Sequence, residues 1–245
     1  MLSLDAVQWV VLSAALFLVG FSKTGVSGAG TVAIALFALV LPTRQSTGML
    51  LPLLLVGDVA AVFSYRRHAD WPRLIRLFPW VALGVVAGAF VLRWVDDAQM
   101  RRLIGVILVV IVVVHLWNRR RAQEDSLAHH RPVAALAGVL AGFATMTANA
   151  AGPIMAVYLL AAGLPMLGFL GTSAWFFLTI NAFKVPFSVA LGLITPATLL
   201  FAALGTPAVL AGAAAGRAVI GRIDRTLFER ITLGLTLLAA VRLLL

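Results

Sequence analysis

The stretch Thr145-Met146-Thr147-Ala148-Asn149-Ala150-Ala151-Gly152-Pro153 interrupts an otherwise apolar run, and it has a counterpart in Lys23-Thr24-Gly25-Val26-Ser27-Gly28-Ala29-Gly30. Each combines a capping residue with glycine or proline, which ends one helix and starts another. The surroundings make the two breaks informative. The chain is 62% hydrophobic and only 11% charged over 245 residues, too little polar surface for a soluble domain of that size. The bilayer has to be the solvent, and lipid offers no partner for freed backbone groups. Each break must therefore be buried in protein or line a water-filled cavity.

Working outward, apolar segments fall near residues 5–22, 28–41, 48–65, 74–94 and 100–117, then near 132–147, 151–163, 169–190, 195–216 and 226–245. The third, fourth and fifth of each set approach the roughly 20 residues of a spanning helix. The first two are shorter. The sets align as an internal repeat: Gly20-Phe21 with Gly142-Phe143, Gly30 with Gly152, Pro42 with Pro165, Gly48 with Gly171 and Asp58 with Asn181. Gly84 and Gly88 then match Gly212 and Gly216, and Asp96 to Arg102 match Asp224 to Arg230. This divides the chain into a first transmembrane repeat (1–121), a basic cytoplasmic linker (122–131) and a second repeat (132–245).

The formal charge of +10 comes from short basic clusters between apolar runs, so it reads as a topology signal rather than a nucleic-acid surface. The loop from Tyr65 to Arg73 and the run from Arg119 to Arg131 are expected to be cytoplasmic. In the second copy the equivalent of the first basic loop, Gly192 to Pro196, is uncharged, and the next turn carries Arg217, Arg222 and Arg225. Basicity changes loops between the copies, as inverted topology requires when each copy crosses an odd number of times. The expected fold is an all-α integral membrane protein of two inverted-topology repeats. Each has three spanning helices plus a short broken or re-entrant helical pair, 8 to 10 membrane segments in all. The small-xxx-small pairs Gly84/Gly88 and Gly212/Gly216 are expected to bring helix backbones together within the chain. The amino-terminal segment has no basic start and no cleavage pattern, and is expected to be retained as a membrane segment. With no cysteine, disulfides and thiolate metal sites are excluded.

Ser27 is suited to cap the half-helix that begins at Gly28, and Asn149 the one with Pro153 in its first turn. Gly25, Gly28 and Gly30 allow close approach. In an inverted pair both amino termini point at the midplane and present N–H groups to an anion. The only two lysines in the chain are Lys23, beside the first break, and Lys184, inside a segment. Ionisable groups at that depth mark function, and a single ammonium releases an anion more readily than an arginine fork. Asp58 is the only acidic residue well inside a segment; it either carries a proton for coupled transport or pairs with Lys184, and the ion pair is favoured. The predicted substrate site comprises Lys23, Gly25, Ser27, Gly28, Gly30, Thr147, Asn149, Gly152, Thr172, Ser173, Trp175, Asn181 and Lys184, with Asp58 for coupling. Ser46 and Thr47 are further hydroxyls nearby.

The second copy, from Ala148-Asn149-Ala150-Ala151-Gly152-Pro153 through Gly163-Leu164-Pro165 and Gly171-Thr172-Ser173-Ala174-Trp175-Phe176-Phe177 to Asn181 and Lys184-Val185-Pro186, resembles the TauE/SafE (sulfite exporter) family. The first copy is similar over Gly20 to Gly30, Pro42 and the Arg66-Arg67 to Trp71 loop, with Gly28-Ala29-Gly30 where the family commonly has three glycines. The resemblance implies export of sulfite, organosulfonates or related organic acids. The expectation is a multi-pass secondary transporter of the cell inner (plasma) membrane, working by alternating access about a midplane site between the breaks. It needs no cofactor, metal or nucleic acid. Proton or sodium coupling, the direction of transport and a homo-oligomer are left open. The competing reading is a membrane-embedded enzyme acting on a lipid-linked or small anionic substrate. It would need a deep cluster of catalytic groups, yet His68, His129 and His130 lie in loops and His115 near a helix end.

Overall fold

A computed structural model describes residues 5–25, 29–96 and 131–220, with a few single positions between 98 and 113. Ser27, Gly28, most of the fifth expected segment and all of the tenth lie outside these residues. Among the described residues there are eight α-helices, one 3-10 turn and no strand. They are α1 (Ala6–Thr24), α2 (Ala29–Val40), α3 (Thr43–Tyr65) and α4 (Trp71–Leu92), then α5 (Arg131–Ala148), α6 (Gly152–Ala161), α7 (Met166–Ala190) and α8 (Pro196–Val219). The turn, Arg66–His68, joins α3 to α4. By length and composition α1, α3, α4, α7 and α8 can each cross a bilayer.

The helix starts follow from local chemistry. Asp5 caps α1 by accepting from the Gln8 amide at 2.7 Å, while the Gln8 side chain accepts from the Asp5 amide at 3.1 Å. Thr195 and Thr198 form the same reciprocal pair at α8, with Pro196 in the first turn. Asp70 caps α4, accepting from the Arg73 amide and from the Arg73 guanidinium.

Glycine decides which helices pair. A methyl group at Gly20 would land on the Val209 carbonyl, and one at Gly212 on the Phe17 carbonyl, so α1 and α8 cross with backbones nearly touching. The equivalent crossing joins α4 to α5, where Gly84 faces Val139 and Gly142 faces Val81. In both pairs residue numbers rise together: Gly25 meets Gly216 and Gly88 meets Met146, so each pair is parallel. The glycines aligned in the sequence thus make intramolecular seams. Between these pairs α3 packs on α7 in the opposite sense, since Tyr65 lies by Gly171 while Gly48 lies by Leu193, just past the end of α7.

The short helix α2 folds back along α1. Gly30 sits by Ser22, whereas Phe37 reaches Phe201, whose ring also stacks on Trp9 near the start of α1. The turn between them is the first break. Large apolar side chains such as Phe63, Ile75, Phe90 and Leu204 point outward and are exposed, as a lipid-facing surface requires. The buried interior is mainly small and aliphatic, and a set of its polar residues, Asp58, Thr145, Asn149, Asn181 and Lys184 among them, gathers at the two breaks.

Candidate functional site

Asp58 stands about two-thirds of the way along α3 and is completely buried. One carboxylate oxygen pairs with the Lys23 ammonium at 2.7 Å, and the other accepts from the Asn181 amide at 2.6 Å. Asn181 and Lys184 are three residues apart on α7, hence on one face. The Lys184 ammonium donates to Asn149 Oδ1 at 2.6 Å, Thr145 Oγ1 at 3.2 Å and Asn181 Oδ1 at 3.3 Å. Asn149 in turn donates from Nδ2 to the Thr47 carbonyl at 3.2 Å. A continuous polar chain therefore runs from the end of α1, across the α3–α7 contact, to the second break and back to the start of α3.

The pairing of Asp58 corrects the expectation of an ion pair with Lys184. Lys23 ends α1 and extends its stem over Gly57, where a Cβ would lie 3.0 Å from Lys23 Cγ. A side chain before Asp58 would press on that stem, and with glycine there Lys23 lies close along α3 and pairs with the carboxylate. Its Nζ also sits 4.2 Å from the centre of the Phe177 ring, a cation–π contact that holds the head group in place. Lys184, with each of its three hydrogens matched to an oxygen, is saturated without the carboxylate.

A cavity of about 40 Å³ opens beside this chain, against the roughly 10–15 Å³ on the same measure that one water needs. The first break contributes Ser22, Lys23, Gly30 and Thr31 to its wall, and the second contributes Asn149, Ala150 and Gly152. Asp58, Ser173 and Phe177 line it between the breaks. At the second break Asn149 adopts φ 53, the left-handed region that asparagine tolerates better than most residues. This turns the chain sharply enough for α6 to begin at Gly152, so the first turn of α6 faces the same space as the first turn of α2. Helix N-termini carry unsatisfied N–H groups and partial positive charge.

Of the predicted site residues, Lys23, Gly30, Asn149, Gly152 and Ser173 line the cavity together with Asp58. Asn181 and Lys184 stand behind it, linked through Asp58 and Asn149. Four others are placed elsewhere. Gly25 packs on Gly216, and Thr147 spends its hydroxyl on the Phe143 carbonyl of its own helix. Thr172 accepts from the Asp70 amide at 2.9 Å, and Trp175 donates to the Arg66 carbonyl and packs at a tilt against Trp71, ring centres 5.0 Å apart. Both anchor the basic turn to α7, Thr172 about two and a half turns and Trp175 just under two turns before Asn181. Sequence reasoning missed Ser22, Thr31, Phe177 and Thr145. A helical register would have found two of them: Phe177 precedes Asn181 by four residues, and Thr145 precedes Asn149 by four.

The family model for the sulfite exporter TauE/SafE matches residues 12–243. No curated protein and no solved structure matches the chain. A match over nearly the whole length, on a chain whose described residues include five helices able to cross a bilayer, assigns this multi-pass membrane protein to the TauE/SafE family of transporters.

Proposed function

We propose that the chain is a secondary transporter that exports a small oxyanion, such as sulfite, an organosulfonate or a related organic acid, from the cytoplasm across the inner membrane. The observation that carries this reading is the cavity between the two breaks, with an ammonium in its wall and two helix N-termini facing it. In the resting arrangement Asp58 occupies Lys23 in place of a substrate. An incoming anion competes for the same ammonium, contacts Ser173 and the first amides of α2 and α6, and leaves when Asp58 reclaims Lys23.

Alternating access follows from the helix pairing if the two copies are inverted. Several observations support that inversion. The first helix of each copy runs parallel to the fourth helix of the other, the third helices pack antiparallel, and Asp58 meets its repeat equivalent Asn181 across that contact. Rocking of one copy against the other about the α3–α7 contact would open the cavity first to one side and then to the other. Lys184 acts in this scheme by positioning Asn149, not by touching the anion.

Flux measured in proteoliposomes tests the proposal. Labelled sulfite or methanesulfonate should be carried by the wild-type protein, and Lys23→Met should slow it at least about tenfold, as expected for losing one charge-assisted contact. Flux equal to that of protein-free liposomes for sulfite, sulfonates and small carboxylates alike would overturn the transport reading.

A further inference from the structure

We infer that Asp58 is the proton carrier of the transport cycle, binding one proton for each anion that draws Lys23 away from it and releasing that proton when the pair reforms. The inference rests on the transport reading and adds the coupled ion. One Asp58 oxygen accepts from the Asn181 amide, and the other has Lys23 Nζ, at 2.7 Å, as its one polar partner among the described residues. That second oxygen is left bare whenever Lys23 turns to an anion. An enclosed carboxylate stripped of its counter-ion is so unfavourable that it binds a proton instead. While the pair holds, Asp58 is 0% exposed, although it stands in the wall of a cavity large enough to admit water. Departure of Lys23 uncovers it to that cavity, beside the hydroxyls of Ser22, Thr31 and Ser173. The proton therefore enters from cavity water onto the bared oxygen, and returns to water when Lys23 closes over Asp58 again. Anion and proton move together, one of each and in the same direction.

Among the described residues no other group takes the place of Lys23. The helices α2 and α6 carry no charged side chain, α1 carries only Lys23, and α8 carries Arg217 alone, in its last turn. On α7 the charged residue is Lys184, whose Nζ is turned to Thr145, Asn149 and Asn181 and meets Asp58 only through Asn181. On α3 itself Arg44 lies in the first turn, and the Tyr65 hydroxyl is directed at the Thr24 carbonyl. Arg66, Arg67 and His68 in the basic turn are exposed and begin about two helical turns beyond Asp58, at the Gly171 end of the cavity wall. Asp70 and Arg73 hold each other. The backbone amides at the starts of α2 and α6 can donate to the anion, but they exchange no proton with it. The count is also independent of where the proton sits within the pair. An amine and a carboxylate closed on each other share one proton, whichever holds it; an ammonium on the anion beside a neutral Asp58 makes two.

A pH gradient tests the coupling. Methanesulfonate is the anion of a strong acid, so near neutral pH a proton that travels with it must be held by the protein. Proteoliposomes are given labelled methanesulfonate at equal concentration on both sides, with the membrane potential clamped at zero by potassium and valinomycin. Acidifying the outside should drive the anion inward to a concentration ratio of about tenfold per pH unit, the value for one proton per anion. In Asp58→Asn the concentrations should stay level, at whatever rate of exchange the variant retains. Should that variant carry no flux, adding methanesulfonate to weakly buffered protein in detergent reads the same step. Wild type should take up about one proton per anion bound and Asp58→Asn none. If the variant does not fold, the wild-type gradient and proton uptake decide. Exchange of label in wild type without accumulation overturns the coupling and leaves transport standing. Accumulation by Asp58→Asn equal to that of wild type overturns the assignment to Asp58. Absence of any exchange in wild type would instead sink the transport reading itself.

Discussion

At the scale of single residues the argument turns on Lys23 and Asp58, each of which stabilises the other in a place where neither would stand alone. Removing one partner of a buried pair typically costs about 3–5 kcal/mol, since a charge is left without compensation. Lys23→Met and Asp58→Asn should each lower the melting temperature in detergent, and the double variant should recover most of the loss while its flux stays low. Recovery of flux along with stability would show that the pair is structural only. Asn149 gives a second residue-level test. Its left-handed backbone costs an alanine about 1–2 kcal/mol and costs glycine almost nothing. Asn149→Ala should therefore melt below Asn149→Gly, although both lack the amide that binds Lys184 and Thr47. Much of this site was legible in the sequence, because lysine, aspartate and asparagine are conspicuous in apolar segments. Who pairs with whom was not legible. That depends on the path of the Lys23 stem over Gly57, which only exists once α1 has packed on α3.

At the scale of elements, apolar runs bounded by charge, glycine or proline located the described helices, and capping chemistry sets where they start. Thr195-Pro196 and Asp70-Trp71-Pro72 start α8 and α4 as their residue types demand. The start of α3 was read too late, near residue 48, because Arg44 and Gln45 are polar; Pro42 is the true boundary and the helix begins at Thr43. The repeat alignment also foresaw which glycines matter, but not their partners. Gly20 and Gly142 occupy equivalent positions and each presses on a carbonyl of a helix from the other copy. Gly142→Ala should therefore destabilise by about 1–3 kcal/mol through forced separation of α4 and α5. Gly163→Ala meets no neighbour within 4 Å and should cost only its positive φ of 70, about 1–2 kcal/mol. Melting temperatures of the two variants, combined with Gly142→Val as a larger step at the seam, separate crowding from backbone strain. A Gly142 series that is insensitive to side-chain size would contradict the close α4–α5 crossing.

At the scale of the molecule, the ends of α1, α3 and α8 come together. The Tyr65 hydroxyl donates to the Thr24 carbonyl at 2.7 Å, the Thr24 hydroxyl donates to the Ala213 carbonyl at 2.6 Å, and Gly25 lies against Gly216. The basic turn after Tyr65 and Arg217 at the end of α8 accordingly share one face, while the uncharged Gly192 to Pro196 loop lies at the other end of α7. Reporter fusions at Ala69 and after Val219 should report one side of the membrane, and a fusion at Leu193 the opposite side. The swap of basicity between loops carried this much in the sequence. The central claim, that both breaks share one cavity which opens to either side, is tested most directly at Ser173. The chain has no cysteine, so Ser173→Cys provides a single thiol in an unaltered background. In oriented vesicles, a membrane-impermeant thiol reagent should label that position from both sides, and methanesulfonate should slow the labelling. A thiol that reacts only with lipid-soluble reagents, or whose labelling no anion slows, would contradict the account.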